Sequence, residues 1–360
     1  MNTVRIGVLG ARRGMALAEA MALAPSATLA AVCDTDPQRL AAVAPSVPQT
    51  CLRYGELLEA ADVDAVLVAS PMPLHVPHAV AALRAGKHVL CEVTAATSIE
   101  QCCELLEAVR ASGCQYMLAE NYCYYRPWMI VLGMVRAGLF GQVYYGEADQ
   151  IQDLKGGLLD PDAGYNWRTA ELALRRGHQY ITHNLGPLYQ AMGQDRIRTV
   201  VCLGSGQHHL AWARADDTCV VLGQTAGGKL VRIRLDFFST RPQSFTYFGL
   251  QGTGASYEGP RGPREAHKVH VQGQTPPDTW QSLEEFAGYL PPAWTRIPAD
   301  RAAGYDGGAA LMIEDFARAV LDGTRPPIDV VDAVNMTAAG LVSEVSIERG
   351  GAPVDVPEFG

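Results

Sequence analysis

The stretch Val4-Arg5-Ile6-Gly7-Val8-Leu9-Gly10-Ala11-Arg12-Arg13-Gly14 constrains this chain more than any other. A β-branched run drives into a glycine turn, and an alanine-rich helical stretch, Met15 to Ala24, follows and stops at Pro25. A second apolar run, Leu29 to Cys33, then ends on Asp34. Strand, glycine turn, helix, strand and terminal acid in that order make the start of a dinucleotide-binding βαβ unit. The turn lets backbone N–H groups approach a pyrophosphate at a helix N-terminus, and the acid about twenty residues on binds a ribose diol. The glycine pattern is altered. Arg12 and Met15 stand where two of the usual glycines would be, and Gly10-Ala11-Arg12-Arg13-Gly14 reads as a contracted turn whose arginines could themselves face phosphate. Asp36-Pro37 is a helix start, and neither Arg nor Lys follows Asp34 immediately to take a 2′-phosphate, which favours NAD over NADP.

The repeat of strand and helix continues. Val63 to Ala69 is a continuous apolar run, as in a strand buried on both faces, and leads into Ser70-Pro71-Met72-Pro73-Leu74-His75. Ligands of parallel sheets lie beyond the carboxyl ends of strands, so this turn borders the cofactor. His88 to Cys91 is the next strand, with Glu92 at its end, and Tyr116 to Ala119 another, ending at Glu120-Asn121. The fold expected is α/β, a doubly wound parallel Rossmann sheet over residues 1–121. Residues 122–360 read as an α+β domain with a large, mostly antiparallel open sheet, whose C-terminal helices could pack back on the first domain. Gly156 to Arg176 and 273–308 read as loop-rich, and the last helix runs from about Val330 to Glu348.

A net charge of −9 argues against nucleic acid and anionic membranes as partners. No apolar run approaches the roughly 18 residues of a membrane helix. The first strand begins within a few residues of the start, so no signal peptide is expected and the location expected is cytoplasmic. Nine scattered cysteines with no CxxC pair read as reduced small hydrophobes. His75 and His78 lie one helical turn apart without an evident third ligand, so no metal is expected. The alternating apolar face of the open sheet suggests burial against a second copy, as a homodimer or homotetramer.

The glycine turn, Asp34, Ser70-Pro-Met-Pro-Leu-His75, Gly86-Lys-His-Val-Leu-Cys-Glu92 and the open-sheet second half together resemble the Gfo/Idh/MocA oxidoreductases, NAD(P)-dependent enzymes acting mostly on sugars and cyclitols. Ordinary members carry Glu-Lys-Pro where this chain has Glu92-Val93-Thr94, so the lysine that helps move the hydroxyl proton is missing. Glu92-Val-Thr-Ala-Ala96, Ala119-Glu-Asn-Tyr-Cys-Tyr124, Tyr180-Ile-Thr-His183-Asn-Leu-Gly-Pro187, Leu250-Gln-Gly-Thr253 and Gly350-Gly-Ala-Pro-Val-Asp-Val-Pro357 resemble glycoside hydrolase family 109. Those enzymes hold NAD, oxidise a sugar hydroxyl, eliminate the aglycone, add water and return the hydride. Departures are the altered glycine turn, the shorter N-terminal region, and Tyr305-Asp306-Gly307-Gly308 in place of Gly-His-Gly-Gly.

That resemblance implies roles. The cofactor face comprises Gly10, Ala11, Arg12, Arg13, Gly14, Asp34, Ser70, Pro71, His75, Glu92 and Asn121, with Glu92 at the nicotinamide ribose. His183 and Tyr180 are the proton-transfer candidates. Three residues apart, they would share a helical face, although Pro187 could start or kink that helix and leave both in the approach loop. Tyr122, Tyr124, Trp167, Arg168 and His178 are the candidates for sugar contact. Two reactions compete: redox-neutral cleavage of a glycoside, and net dehydrogenation of a sugar or cyclitol. A non-catalytic regulator that binds NAD or sugar is the rival from another class.

Overall fold

The computed structural model describes residues 3–157, 159–160, 164–298 and 305–360. The chain divides into two compact units, Met1–Arg126 with Pro292–Val334, and Pro127–Pro291 with Asn335–Gly360. The first unit thus runs past residue 121 and takes in a C-terminal segment.

In the first unit the elements alternate as β1 (Val4–Leu9), α1 (Ala11–Met21), β2 (Ala27–Cys33), α2 (Pro37–Val43), β3 (Thr50–Cys51), α3 (Tyr54–Glu59), β4 (Ala65–Val68), α4 (His75–Arg84), β5 (His88–Cys91), α5 (Ile99–Ser112) and β6 (Tyr116–Leu118). The strands form a parallel sheet in the order β3-β2-β1-β4-β5-β6. This is the doubly wound dinucleotide-binding order, with its switch point between β1 and β4. All of β4 is buried, as its unbroken apolar run requires. Asp36 caps α2 through the N–H groups of Gln38 and Arg39, with Pro37 in the first turn.

The second unit begins with α6 (Arg126–Arg136). Then come β7 (Val143–Ile151), the short hairpin β8 (Leu159–Asp160) and β9 (Gly164–Tyr165), α7 (Thr182–Ala191), β10 (Ile197–Gly204), β11 (Thr218–Thr225), β12 (Leu230–Asp236), β13 (Ser244–Gly252), β14 (Ala255–Glu258), β15 (Lys268–Val271) and β16 (Gln281–Ser282). Helix α8 (Tyr305–Asp322) returns to the first unit, α9 (Val330–Glu348) starts there and ends in the second, and β17 (Val354–Asp355) closes the second sheet. That sheet has nine strands in the order β16-β15-β14-β13-β7-β12-β11-β10-β17, antiparallel except where β12 runs parallel to β7. Trp128 on α6 is wholly buried against Phe248, ring centroids 5.1 Å apart. The stretch 273–308 is less irregular than expected: it holds β16 and a capped turn in which Ser282 and Glu285 close a capping box. Its residues 299–304, with 158 and 161–163 of the other expected loop, lie outside the described residues.

One expectation is refined here and another is corrected. One apolar face of the second sheet is already covered within its unit. Val231 and Ile233 pair with Gly146 and Ala148, and a Cβ at Gly146 would lie 2.8 Å from Met192 and 2.9 Å from Leu188 at the end of α7. The opposite set, one residue out of phase, carries ions: Arg232 donates to Glu147 at 3.0 Å and to Asp149 at 2.9 Å. The open face therefore mixes these ions with exposed apolar side chains, Leu222 opposite Arg232 and Leu203 in the same phase. Secondly, α9 is long and apolar enough to cross a membrane, but 83% of its most apolar 18-residue stretch is buried inside the protein, as in a core helix.

Helix α8 is tied to the base of β2 by a charge. Glu314 accepts from the Ser26 N–H at 2.8 Å, from its hydroxyl at 2.9 Å and from Arg318 at 3.0 Å. Burial opposes ionisation of Glu314, but these donors outweigh it and hold its carboxyl below the ordinary range. A lowered carboxyl stabilises the folded state fully above the ordinary value, 4.5, and loses that contribution as pH falls through the lowered one. Glu314→Gln is therefore expected to lose about 1–3 kcal/mol at neutral pH, with the gap from the parent closing in acid. Urea melts across a pH series check this, and a gap independent of pH would refute it.

Candidate functional site

The first unit carries the cofactor groups. β1 ends at Gly10, whose φ of 102° lies in the left-handed region and where a Cβ would stand 2.5 Å from the Ala69 carbonyl. Helix α1 starts at once, at Ala11, and Gly10 at its N-cap has no side chain to cap it. Its first turn is thus an anion site of the kind a pyrophosphate occupies. Gly14 is corrected from a turn glycine to a helical one. A Cβ there would meet Val8 at 2.3 Å, so it allows α1 to pack closely on β1, the role of the last glycine in such fingerprints.

Asp34 is buried at the end of β2. Its Oδ2 accepts from the Ala11 N–H at 2.8 Å and its Oδ1 from the Asp36 N–H at 2.9 Å. Both oxygens keep lone pairs for a diol. Arg13 differs from expectation: its Nε donates to Glu92 Oε1 at 2.6 Å, so it holds the acid at the end of β5 as well as lying beside the turn. Arg12 is exposed.

His75 is corrected from a cofactor contact to a brace. It is 2% exposed, with Nδ1 2.8 Å from the Thr94 carbonyl and Nε2 2.9 Å from that of Ser70, so it ties together the loops after β4 and β5. Burial pushes its pKa down. Ser70 Oγ lies 2.9 Å from His78 Nδ1, and Pro71 starts the next turn. Neither histidine points to a metal, and among the described residues no three His, Cys, Asp or Glu cluster to hold one. Asn121 is buried after β6, and its Oδ1 has no hydrogen-bond partner among the described residues. Tyr122 is buried, and Tyr124 spends its hydroxyl on Asp315 of α8 at 2.9 Å, which makes it a packing residue and not the open sugar platform expected.

A helix start with glycine at its N-cap, a carboxylate fixed for a diol, a second acid at the end of β5 and an orphaned amide oxygen after β6 fit NAD. Gly10, Ala11, Asp34, Glu92 and Asn121 would hold it. If Glu92 hydrogen-bonds the cofactor, Glu92→Gln lowers NAD affinity by about 10- to 100-fold, since a charged hydrogen bond contributes about 1.5–3 kcal/mol. Calorimetric titration with NAD checks this, and an unchanged Kd would remove Glu92 from the cofactor face.

The second unit carries the proton-transfer candidates. Helix α7 starts at Thr182, upstream of Pro187, which lies inside it. Pro187 lacks the N–H that would reach the His183 carbonyl, so it removes one intrahelical hydrogen bond in the second turn. The pair therefore does not share a helical face as expected. His183 sits in the first turn and Tyr180 in the approach to it, and their rings meet edge to face, centroids 5.0 Å apart at 76°. Tyr180 is half-buried and also touches Phe237, at 6.3 Å, while His183 is 9% exposed. His178 is wholly buried, with Nε2 3.0 Å from Asn184 Oδ1, which places it behind the pair and removes it as a direct sugar contact. The Arg168 guanidinium lies over the Trp167 ring at 4.3 Å, and both are half-buried. The sequence reading missed Asn184, which no recognised spacing flags, and the pairing of Arg13 with Glu92.

Residues 4–120 match the family profile described as "Oxidoreductase family, NAD-binding Rossmann fold", and residues 204–360 match "Glycosyl hydrolase 109, C-terminal domain". A glycosyl hydrolase family 109 protein of Solibacter usitatus is 31% identical over 99% of this chain and 88% of its own. The chain belongs to the Gfo/Idh/MocA oxidoreductase family, near glycosyl hydrolase family 109. An alpha-N-acetylgalactosaminidase of Tannerella forsythia is 30% identical to this Gfo/Idh/MocA protein over 85% of it and 73% of the relative. Its fold is shared by levoglucosan dehydrogenase, solved in complex with NADH and levoglucosan, with a TM-score of 0.82, 20% identity and coverage of 99% of this chain and 100% of the other. Its first unit is an NAD-binding Rossmann domain.

Proposed function

We propose that this Gfo/Idh/MocA protein cleaves a glycoside by transient oxidation of a ring hydroxyl, with no net redox change. The observation that carries this reading is the contact between the Tyr180 and His183 rings. Val93, where ordinary members carry lysine, is apolar and buried, so it supplies no proton transfer. NAD, when bound, supplies the two-electron acceptor that takes hydride from the ring carbon and later gives it back. The protein must move the protons. The hydroxyl loses one as it becomes a carbonyl, the neighbouring C–H, now acidic, loses one to a base, and the aglycone oxygen gains one as its bond to carbon breaks; water then adds across the double bond so formed, its oxygen to the carbon the aglycone left and a proton to the carbon that lost one, and the carbonyl oxygen regains its proton as hydride returns. Histidine accepts and donates near neutral pH, and an adjoining phenol can relay the proton. We assign these transfers to His183 and Tyr180. The Trp167–Arg168 pair offers a ring face and a guanidinium for a sugar. The α-N-acetylgalactosaminidase name of the Tannerella relative makes N-acetylgalactosaminides the first glycosides to test.

The test offers aryl glycosides and free sugars to the protein with and without NAD, following aglycone and NADH together. Aglycone release without accumulating NADH is the expected result. NADH growing in proportion to free sugar consumed would replace this reading with a net dehydrogenase. Silence in both channels with NAD bound would favour the binding protein.

A further inference from the structure

We propose that the buried hydrogen bond between His178 and Asn184 is a clasp that positions Tyr180 and His183 for proton transfer. The proposal rests on the proposed glycoside reaction. The two side chains are six residues apart and 3.0 Å from each other, and the segment they close contains both proton-transfer candidates. Asn184 directly follows His183, so the bond fixes the backbone on which the His183 imidazole turns.

The closed segment is itself seated. The His178 N–H donates to Ser343 Oγ at 2.8 Å, and that hydroxyl donates to the Gly340 carbonyl at 2.6 Å, both on α9. Gly340 lets the segment lie this close: a Cβ there would stand 2.6 Å from the His178 carbonyl. Gly177, at φ 74°, has its own missing Cβ 2.5 Å from Ser343 Oγ. This is a built contact on both sides, not a loop resting on a helix.

The chemistry of the clasp is one-directional. The Asn184 Oδ1 accepts, so His178 Nε2 carries the hydrogen. His178 Nδ1 is then a bare lone pair, and it has no partner among the described residues in a ring with no exposed surface. A protonated ring would leave Nδ1–H unpaired in that setting, which costs too much to be populated. Burial pushes the His178 pKa down to about 3, the bond to Asn184 opposes this, and the nearby His183 adds to it. Glu344, the carboxylate of α9 beside this segment, is taken up by Arg175 at 2.8 Å and by Gln179 at 3.4 Å. The clasp therefore stays neutral while the sugar-side histidine takes and gives protons, and it holds geometry without competing for them.

The test uses the full chain loaded with NAD. Nitrogen NMR of the histidine rings is expected to show His178 as a fixed Nε2–H tautomer that does not titrate between neutral and mildly acidic pH. Averaged tautomers, or titration in that range, would overturn the proposal whether or not the protein turns over any sugar. On aryl glycosides, His178→Phe and Asn184→Leu are each expected to lower kcat by about 100-fold, the scale of a 1 Å misplacement, with KM and the NAD Kd unchanged. The double variant is expected to be no worse than either single one. Variants that melt earlier but keep the parent's kcat would make the bond a stability device and overturn the proposal. A parent silent on every glycoside and sugar would instead overturn the functional reading, and the nitrogen spectra would still decide the clasp.

Discussion

His183→Asn is expected to lower turnover of the glycoside by about 10²- to 10⁴-fold, the usual contribution of a positioned acid or base. Tyr180→Phe is expected to lower it by about 10²-fold. In both cases the Kd for NAD should stay at the parent's value, since these residues belong to the second unit and the cofactor groups to the first. The two losses should not add. The rings touch, and groups that act as one relay are removed together by either change. Steady-state assays of the purified variants, with NAD binding measured on the same samples, check this. A His183→Asn enzyme within about threefold of the parent would strip His183 of its role and leave proton transfer to be found elsewhere.

The second large effect is on the glycine turn. Gly10→Ala places a methyl 2.5 Å from a backbone carbonyl, at a φ of 102° that only glycine adopts easily. The left-handed backbone costs about 1–2 kcal/mol for an L-residue. Overpacking adds about 1–3 kcal/mol, because the Ala69 carbonyl belongs to the switch-point loop and has nowhere to go. The expected sum, about 2–5 kcal/mol, is a large share of the stability of an ordinary domain, so the variant should melt several degrees earlier and bind NAD weakly or not at all. Gly113→Ala is the control. It shares a positive φ, 67°, but nothing lies within 4 Å of its missing Cβ, so only the backbone cost applies and NAD binding should survive. Equal melting shifts in the two variants would show that the close approach to Ala69 is immaterial.

The first sheet was legible because its strands announce themselves twice. β5 and the apolar run around β4 are buried on both faces, so they read as unbroken hydrophobic segments, and each ends in a turn residue or an acid. The second sheet was legible as a large, mostly antiparallel open sheet, but alternation alone does not say which face is covered. The packing of α7 on Gly146 decides that, and it depends on residues more than forty positions apart. The same limit explains the site. Tyr180 and His183 stood out as residue types, yet their meeting comes from a helix start at Thr182 that a proline five residues later obscures. Tyr124 and His75 carried attractive chemistry and proved to be spent on Asp315 and on two carbonyls. Long-range partners decide whether a polar side chain is available, and sequence spacing does not carry them.

The fixed carboxylate of Asp34 bears on which coenzyme the protein accepts. It caps the start of α1 with one oxygen and the turn into α2 with the other, so turning it aside would unfasten two backbone amides at once. A hydroxyl pair meets a waiting acceptor. A 2′-phosphate there would meet like charge on a group that two backbone amides hold in place. A preference for the unphosphorylated coenzyme would then be a matter of immobility: the acid would discriminate because the scaffold has already claimed it.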